Sequence, residues 1–174
     1  VRYGDTAELA ALLVEEGAKS PAAMFLAQDA GALGAVSDAK LFAPVPASTL
    51  SKVAKEYQAD DGTWVGVTGR ARSVVYNTKK VKEDELPASV FDLTDAKYKG
   101  RIGWAPGNGS FQAFVTAMRL MHGEEKTKEW LLGMKKNDVK DYPKNSAIVR
   151  ATGAGEVDLG LVNHYYLYRF TKED

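Results

Sequence analysis

Apolar positions recur along this chain with two periods, one helical and one extended. Leu9, Leu12 and Leu13 share a helical face behind Asp5 or Thr6, either of which can cap the helix, and Gly17 is placed to end it. Ser20-Pro21 leads into Ala22-Ala23-Met24-Phe25-Leu26-Ala27, a short apolar run of buried-strand type, and Gln28-Asp29-Ala30-Gly31 follows as a polar strand end. Ala30 to Val36 reads as a short helix, Phe42-Ala43-Pro44-Val45-Pro46 as an extended loop, and Ser48 as the cap of a helix through Lys55. After the turn residues Asp60-Asp61-Gly62, the stretch Trp64 to Asn77 predicts a long extended segment interrupted by glycines, with Arg70 and Arg72 in its middle.

The second half is more strongly patterned. Arg101 to Ala105 predicts a compact strand, and Pro106-Gly107-Asn108-Gly109-Ser110 turns it into a helix marked by Phe111, Phe114, Val115 and Met118. His122 falls near the end of that helix, facing solvent. Glu124 to Lys136 forms another amphipathic helix with Trp130, Leu131 and Met134 inward. Lys140 to Ser146 reads as a loop, and Asn145 or Ser146 caps a helix through Thr152. Gly153 to Gly155 then turns into a last strand, Glu156 to Leu161, whose Val157, Leu159 and Leu161 alternate with other residues. Asn163, His164, Tyr165 and Tyr166 stand where that strand stops; Tyr168 is read as packing.

Strands alternating with helices predict an α/β fold with a parallel or mixed sheet in each of two lobes. With 174 residues, 45% hydrophobic and 26% charged, the chain has material for one good core or two small ones. Its 23 Lys and Arg balance 23 Asp and Glu, without a basic run interleaved with aromatics, which turns the reading away from nucleic acid and toward a small ligand. No run approaches the ~18 apolar residues of a membrane span. The complete lack of cysteine excludes disulfides, zinc-thiolate sites, iron-sulfur clusters and thiol catalysis. The chain opens on Val1-Arg2-Tyr3 without methionine and closes on charged residues, so a piece of a longer protein is expected.

Polar outliers gather at four strand or loop ends: Gln28, the Arg70 and Arg72 pair, the Asn108-Gly109-Ser110 turn, and Asn163 through Tyr166. Tyr-Tyr pairs are common in sheets as plain packing, and the two arginines fit a solvated edge as well as a guanidinium aimed at an anion. Equally, Asn108-Gly109-Ser110 reads either as an ordinary strand-to-helix turn or as a helix N-terminus that holds a small oxyanion. It matches neither GxxxxGK[ST] nor GxGxxG, so nucleotide chemistry is unsupported. Two phenols beside an oxyanion pocket carry a specific chemical meaning. Phenolate is a hard anionic donor, and a hard trivalent ion such as iron(III) can displace a phenolic proton of pKa about 10 at neutral pH. Magnesium and calcium favour carboxylates, and zinc favours imidazole or thiolate.

Gly4-Asp5-Thr6-Ala7-Glu8-Leu9, Ser20-Pro21-Ala22, Val67-Thr68-Gly69-Arg70-Ala71-Arg72, Lys144-Asn145-Ser146 and Asn163-His164-Tyr165-Tyr166 occur in one order. In this the chain resembles the ferric-iron-binding substrate-binding proteins of bacterial ABC importers, which have a transferrin-like, two-lobed fold. The resemblance implies a periplasmic-binding-protein-like fold of type II, truncated at both ends. Residues 1–70 would be a partial N-terminal lobe with a hinge strand, and residues 71–174 most of the C-terminal lobe. It implies Tyr165 and Tyr166 as iron ligands and Arg70, Asn108, Gly109, Ser110, Asn145 and Asn163 around a synergistic anion, carbonate or phosphate. Gln28, Arg72 and His164 would be further residues of the interlobe cleft. Gln28 stands where several members have a glutamate ligand, Ser110 where an anion-independent subgroup has a tyrosine, and His164 where other members have an amide. The implied protein is extracytoplasmic, periplasmic or lipid-anchored, and a monomer that delivers Fe(III) to ABC permease subunits.

The alternatives are an oxyanion-binding protein without metal, in which the tyrosines are walls, and a regulatory effector domain of the same fold. A hydrolase or transferase lacks support, since His122 and His164 are the only histidines and neither GxSxG nor HExxH occurs, although paired carboxylates such as Asp29 and Glu8 stay open. The reading is therefore a binding protein and no enzyme.

Overall fold

In a computed structural model that describes residues 1–170, the chain divides between Gly69 and Arg70 into two units, each with its own packing. The first unit is mainly helical. Its α1 (Thr6–Glu16) begins after an extended Asp5, whose carbonyl accepts from the Leu9 N–H, and ends at Gly17 with φ 55°, where glycine has no Cβ to clash. Helix α2 (Ala30–Asp38) is capped by Asp29, whose Oδ1 accepts from the Ala32 N–H at 3.1 Å. The two helices pack together, and Ala10 and Val36 are buried.

Two sequence expectations fail in this unit. Residues 22–27 form no strand, and Met24 and Leu26 are 87% and 74% exposed. A strand needs a neighbour to take its backbone hydrogen bonds, and the described residues of this unit supply none there. The helix expected from Ser48 through Lys55 shrinks to α3 (Ala47–Leu50), followed by a single 3₁₀ turn at Lys55–Tyr57. Gln58 explains the stop: its Nε2 donates to the Leu50 carbonyl at 2.9 Å and the Val53 carbonyl at 2.5 Å, occupying acceptors that a longer helix would need.

The second unit is built on a four-stranded sheet of order β1-β4-β2-β3. Of the long extended segment expected from Trp64 to Asn77, only Arg72–Tyr76 is a strand, β1. β2 (Ile102–Trp104) leads into α4 (Gly109–His122) and α5 (Glu124–Lys136). β3 (Lys140–Asp141) lies where a loop is expected, because it pairs in parallel with Gly103 and Trp104. Helix α6 (Asn145–Ala154) precedes β4 (Leu159–Asn163), and α7 (Tyr166–Phe170) follows. β4 runs parallel to β2 and antiparallel to β1, with Arg72 opposite Asn163 and Tyr76 opposite Leu159.

β2 and β4 are buried on both faces, as central strands covered on two sides require. Leu159 and Leu161 join Ile102, Phe111, Met118, Trp130 and Met134 beneath α4 and α5. Val162 turns the other way, onto Ile148 of α6. Gly160 and Gly103 face the same helix, and a Cβ on Gly160 would lie 2.3 Å from the Ile148 Cγ2. The strand-helix contact is thus closer than any side chain at position 160 permits. Among the described residues no helix is long and apolar enough to cross a membrane.

Candidate functional site

Four element ends converge in the second unit: the start of β1, the N-termini of α4 and α6, and the end of β4. The turn after β2 places Asn108 as the extended residue before α4, and the Ser110 hydroxyl donates to its Oδ1 at 2.5 Å. That hydroxyl is also the acceptor for three donors: Arg72 Nη2 at 2.9 Å, Asn163 Nδ2 at 3.3 Å and Asn145 Nδ2 at 3.5 Å. Gly109 opens α4 beside it, and the first N–H groups of a helix have no intrahelical partner. Asn145 and Asn163 are both buried, so these amides are held in place by packing as well as by hydrogen bonds.

Arg72 ties the cluster together. Its Nη1 donates to Asn145 Oδ1 and to the Leu161 carbonyl, both at 3.3 Å, while its guanidinium lies over the Phe111 and Phe114 rings at 5.7 and 6.0 Å. Burial lowers its pKa to about 10, opposed by the nearby Tyr165 and Tyr166 phenols, and the group stays charged at neutral pH. Its Nε is buried and has no hydrogen-bond partner among the described residues.

Tyr165 and Tyr166 leave the end of β4 with their rings stacked, 4.7 Å apart and 27° from parallel. Asn163 Nδ2 donates to the Tyr165 hydroxyl at 3.4 Å. Burial raises the pKa of the Tyr166 phenol, and its hydrogen bond with Tyr165 raises it further, whereas Asn145 and Arg169 act in the opposite sense. The Tyr166 ring continues onto Phe170 at 6.5 Å, and the Arg150 guanidinium covers Phe170 at 5.3 Å. Tyr168, expected as packing, is 67% exposed, two positions along the short helix from Tyr166.

Ser110, Asn108, Asn145, Asn163 and Tyr165 thus form one hydrogen-bonded group. Arg72, expected only as a possible cleft residue, is its central cation, and Arg70 stands exposed two residues ahead of it. The signal that selects Arg72 is register: as the first residue of β1 it lies opposite Asn163. His164 is bound to Ala71 through both its backbone and its ring. Gln28 belongs to the first unit, where its N–H donates to Thr6 Oγ1 at 3.3 Å. His122 is the exposed last residue of α4, edge-on to Phe91 at 5.0 Å. Asp29 is engaged as the cap of α2. Among the described residues, no three His, Asp or Glu side chains converge as a metal site.

A family model described as bacterial extracellular solute-binding protein matches residues 19–172. The chain belongs to that family. This solute-binding chain is 41% identical over 166 residues to a protein of Serratia marcescens named Fe(3+)-binding periplasmic protein, covering 95% of this chain and 49% of that protein. It is 39% identical to the major ferric iron-binding protein of Neisseria meningitidis, covering 95% and 50%. Iron-bound HitA from Pseudomonas aeruginosa superposes with a TM-score of 0.95 at 37% identity, over 99% of this chain and 56% of that one. A Trichodesmium protein, IdiA or FutA, solved with iron and citrate ligands, superposes with a TM-score of 0.82 at 32% identity, over 95% and 53%. The fold is therefore the α/β fold of ferric-binding periplasmic proteins. The solute-binding chain spans about half the length of the curated relatives it matches.

Proposed function

We propose that this protein binds ferric iron outside the cytoplasm, with a synergistic anion, and delivers it to the permease of an ABC importer. Tyr165 and Tyr166 supply the metal's phenolate oxygens. Arg72, Ser110, Asn108, Asn145 and Asn163 hold the anion, carbonate or phosphate, with Arg70 and the Gly109 end of α4 beside them. The observation that carries the reading is the stacked phenol pair next to a buried guanidinium, linked through Ser110, Asn163 and Asn145. The iron-binding names of the relatives support it.

The chemistry follows from charge. Each phenol loses its proton on binding, and two phenolates leave an iron(III) ion with one net positive charge that a bound anion offsets. An oxyanion would be repelled by the phenolates alone. Arg72 provides the opposite charge, and its Nε, without a partner among the described residues, is a further donor for an oxyanion oxygen. The role is binding and release, performed by a monomer, without turnover.

The test uses the protein at its full natural length. Ferric iron added with carbonate or phosphate is expected to produce a visible phenolate-to-iron charge-transfer band, and Tyr165→Phe/Tyr166→Phe to abolish it. A wild-type protein with no such band, or a double variant that keeps it, refutes the proposal.

A further inference from the structure

The β1–β4 ladder ends in an irregular rung. With Arg72 opposite Asn163, the next pair is Ala71 and His164, which in a regular antiparallel ladder would exchange two backbone hydrogen bonds. Only one of them is made: the His164 N–H donates to the Ala71 carbonyl at 3.0 Å. The Ala71 N–H donates instead to the imidazole Nδ1 of His164, at 3.1 Å. The His164 carbonyl, relieved of that role, accepts from the Leu167 N–H at 3.3 Å in the first turn of α7.

We propose that His164 is a positioning residue for the tyrosine pair, its ring nitrogen standing in for its own carbonyl in the ladder. This rests on the reading that Tyr165 and Tyr166 bind iron. The substitution has a geometric consequence. A strand's carbonyl points to the neighbouring strand, whereas a helix's first carbonyls point along the helix axis, and one carbonyl cannot do both. With Nδ1 closing the rung, the chain passes from β4 to α7 through only two residues, His164 and Tyr165, and Tyr166 is the first residue of α7. The same rung anchors Ala71, the residue before Arg72, so the phenols and the guanidinium share one fixed reference. As an acceptor, Nδ1 is unprotonated, and the ring proton is on Nε2. The ring also meets Tyr165 edge-on at 5.9 Å.

What the position requires is an acceptor at the δ atom. Asn carries one in Oδ1, the same number of bonds from Cα as Nδ1; Leu has matching bulk and no acceptor. Two measurements on the full-length protein decide the proposal. In the iron-free state, amide hydrogen exchange at Ala71 and Leu167 is expected to be slow in the wild type and in His164→Asn, and to speed up at both sites together in His164→Leu. In the iron-loaded state, His164→Leu is expected to weaken iron binding by about fivefold, the scale of one lost hydrogen bond, and to shift the charge-transfer band, with His164→Asn restoring both. Unchanged protection and affinity in His164→Leu overturn the proposal, as does an Asn variant that fails like Leu. If the wild type gives no charge-transfer band, the iron assignment falls, and the exchange measurement still decides whether His164 sets the turn.

Discussion

Replacing Gly160 by Ala tests the close approach that builds the site. The new Cβ would lie 2.3 Å from Ile148 Cγ2 and 3.2 Å from both Thr152 Oγ1 and Val75 Cγ1. Reaching an ordinary contact of 3.4 Å needs a separation of 3.4 − 2.3 = 1.1 Å, and Ile148 and Thr152 are buried with no open side to move toward. Overpacking of this kind costs about 1–3 kcal/mol. Helix α6 is the element that yields, and it carries Asn145 one turn ahead of Ile148. The bonds of Asn145 to Arg72 and Ser110, at 3.3 and 3.5 Å, have no slack for an ångström of displacement. Gly160→Ala should therefore lower the urea midpoint and weaken iron binding with its anion by about tenfold, the latter through two lost hydrogen bonds. Ile148→Ala removes the colliding methyl and by itself costs about 2–5 kcal/mol. In the double variant the two losses should fall short of their sum by about 1 kcal/mol or more. An unchanged midpoint in Gly160→Ala, or strict additivity in the cycle, would refute the reasoning.

Asn137 is buried and its Nδ2 donates to the Leu93 and Asp95 carbonyls at 2.9 and 2.8 Å; Asn137→Ala strands both and should destabilise by about 2–3 kcal/mol in urea unfolding. A loss below about 0.5 kcal/mol, the size of an ordinary surface change, would contradict that role. Tyr142 gives a pH test. Burial first, and then its hydrogen bond to Glu156, raise its phenol from 10.0 to about 12. A raised pKa means the folded state holds the proton longer, so this contribution is complete below pH 10 and is lost as the pH rises to about 12. Stability should fall with pH across that window more steeply in the wild type than in Tyr142→Phe, as read from urea midpoints. Equal slopes would show that Tyr142 does not contribute.

The parts of the fold legible in the chain are those made by short-range interactions. α1 begins at Thr6 and ends at Gly17, and α4 follows the Asn108-Gly109-Ser110 turn, because caps, glycine conformations and helical apolar faces involve residues only a few positions apart. The phenols at the end of the last strand were legible for the same reason, as was the turn that leads into α4. Pairing was not. The apolar run at 22–27 has strand composition yet forms none, and Lys140–Asp141 reads as loop yet pairs with β2, since a strand exists only where a neighbour completes its hydrogen bonds. Arg70 and Arg72 are indistinguishable as letters. The register that sets Arg72 against Asn163 brings its guanidinium to Ser110 and Asn145, and the same register, one residue on, makes His164 exchange its carbonyl for a ring nitrogen. Residue types and local spacing thus specify which candidate side chains the chain carries. Which of the candidates meet depends on contacts between residues as many as 93 positions apart, and only the packed sheet brings those together.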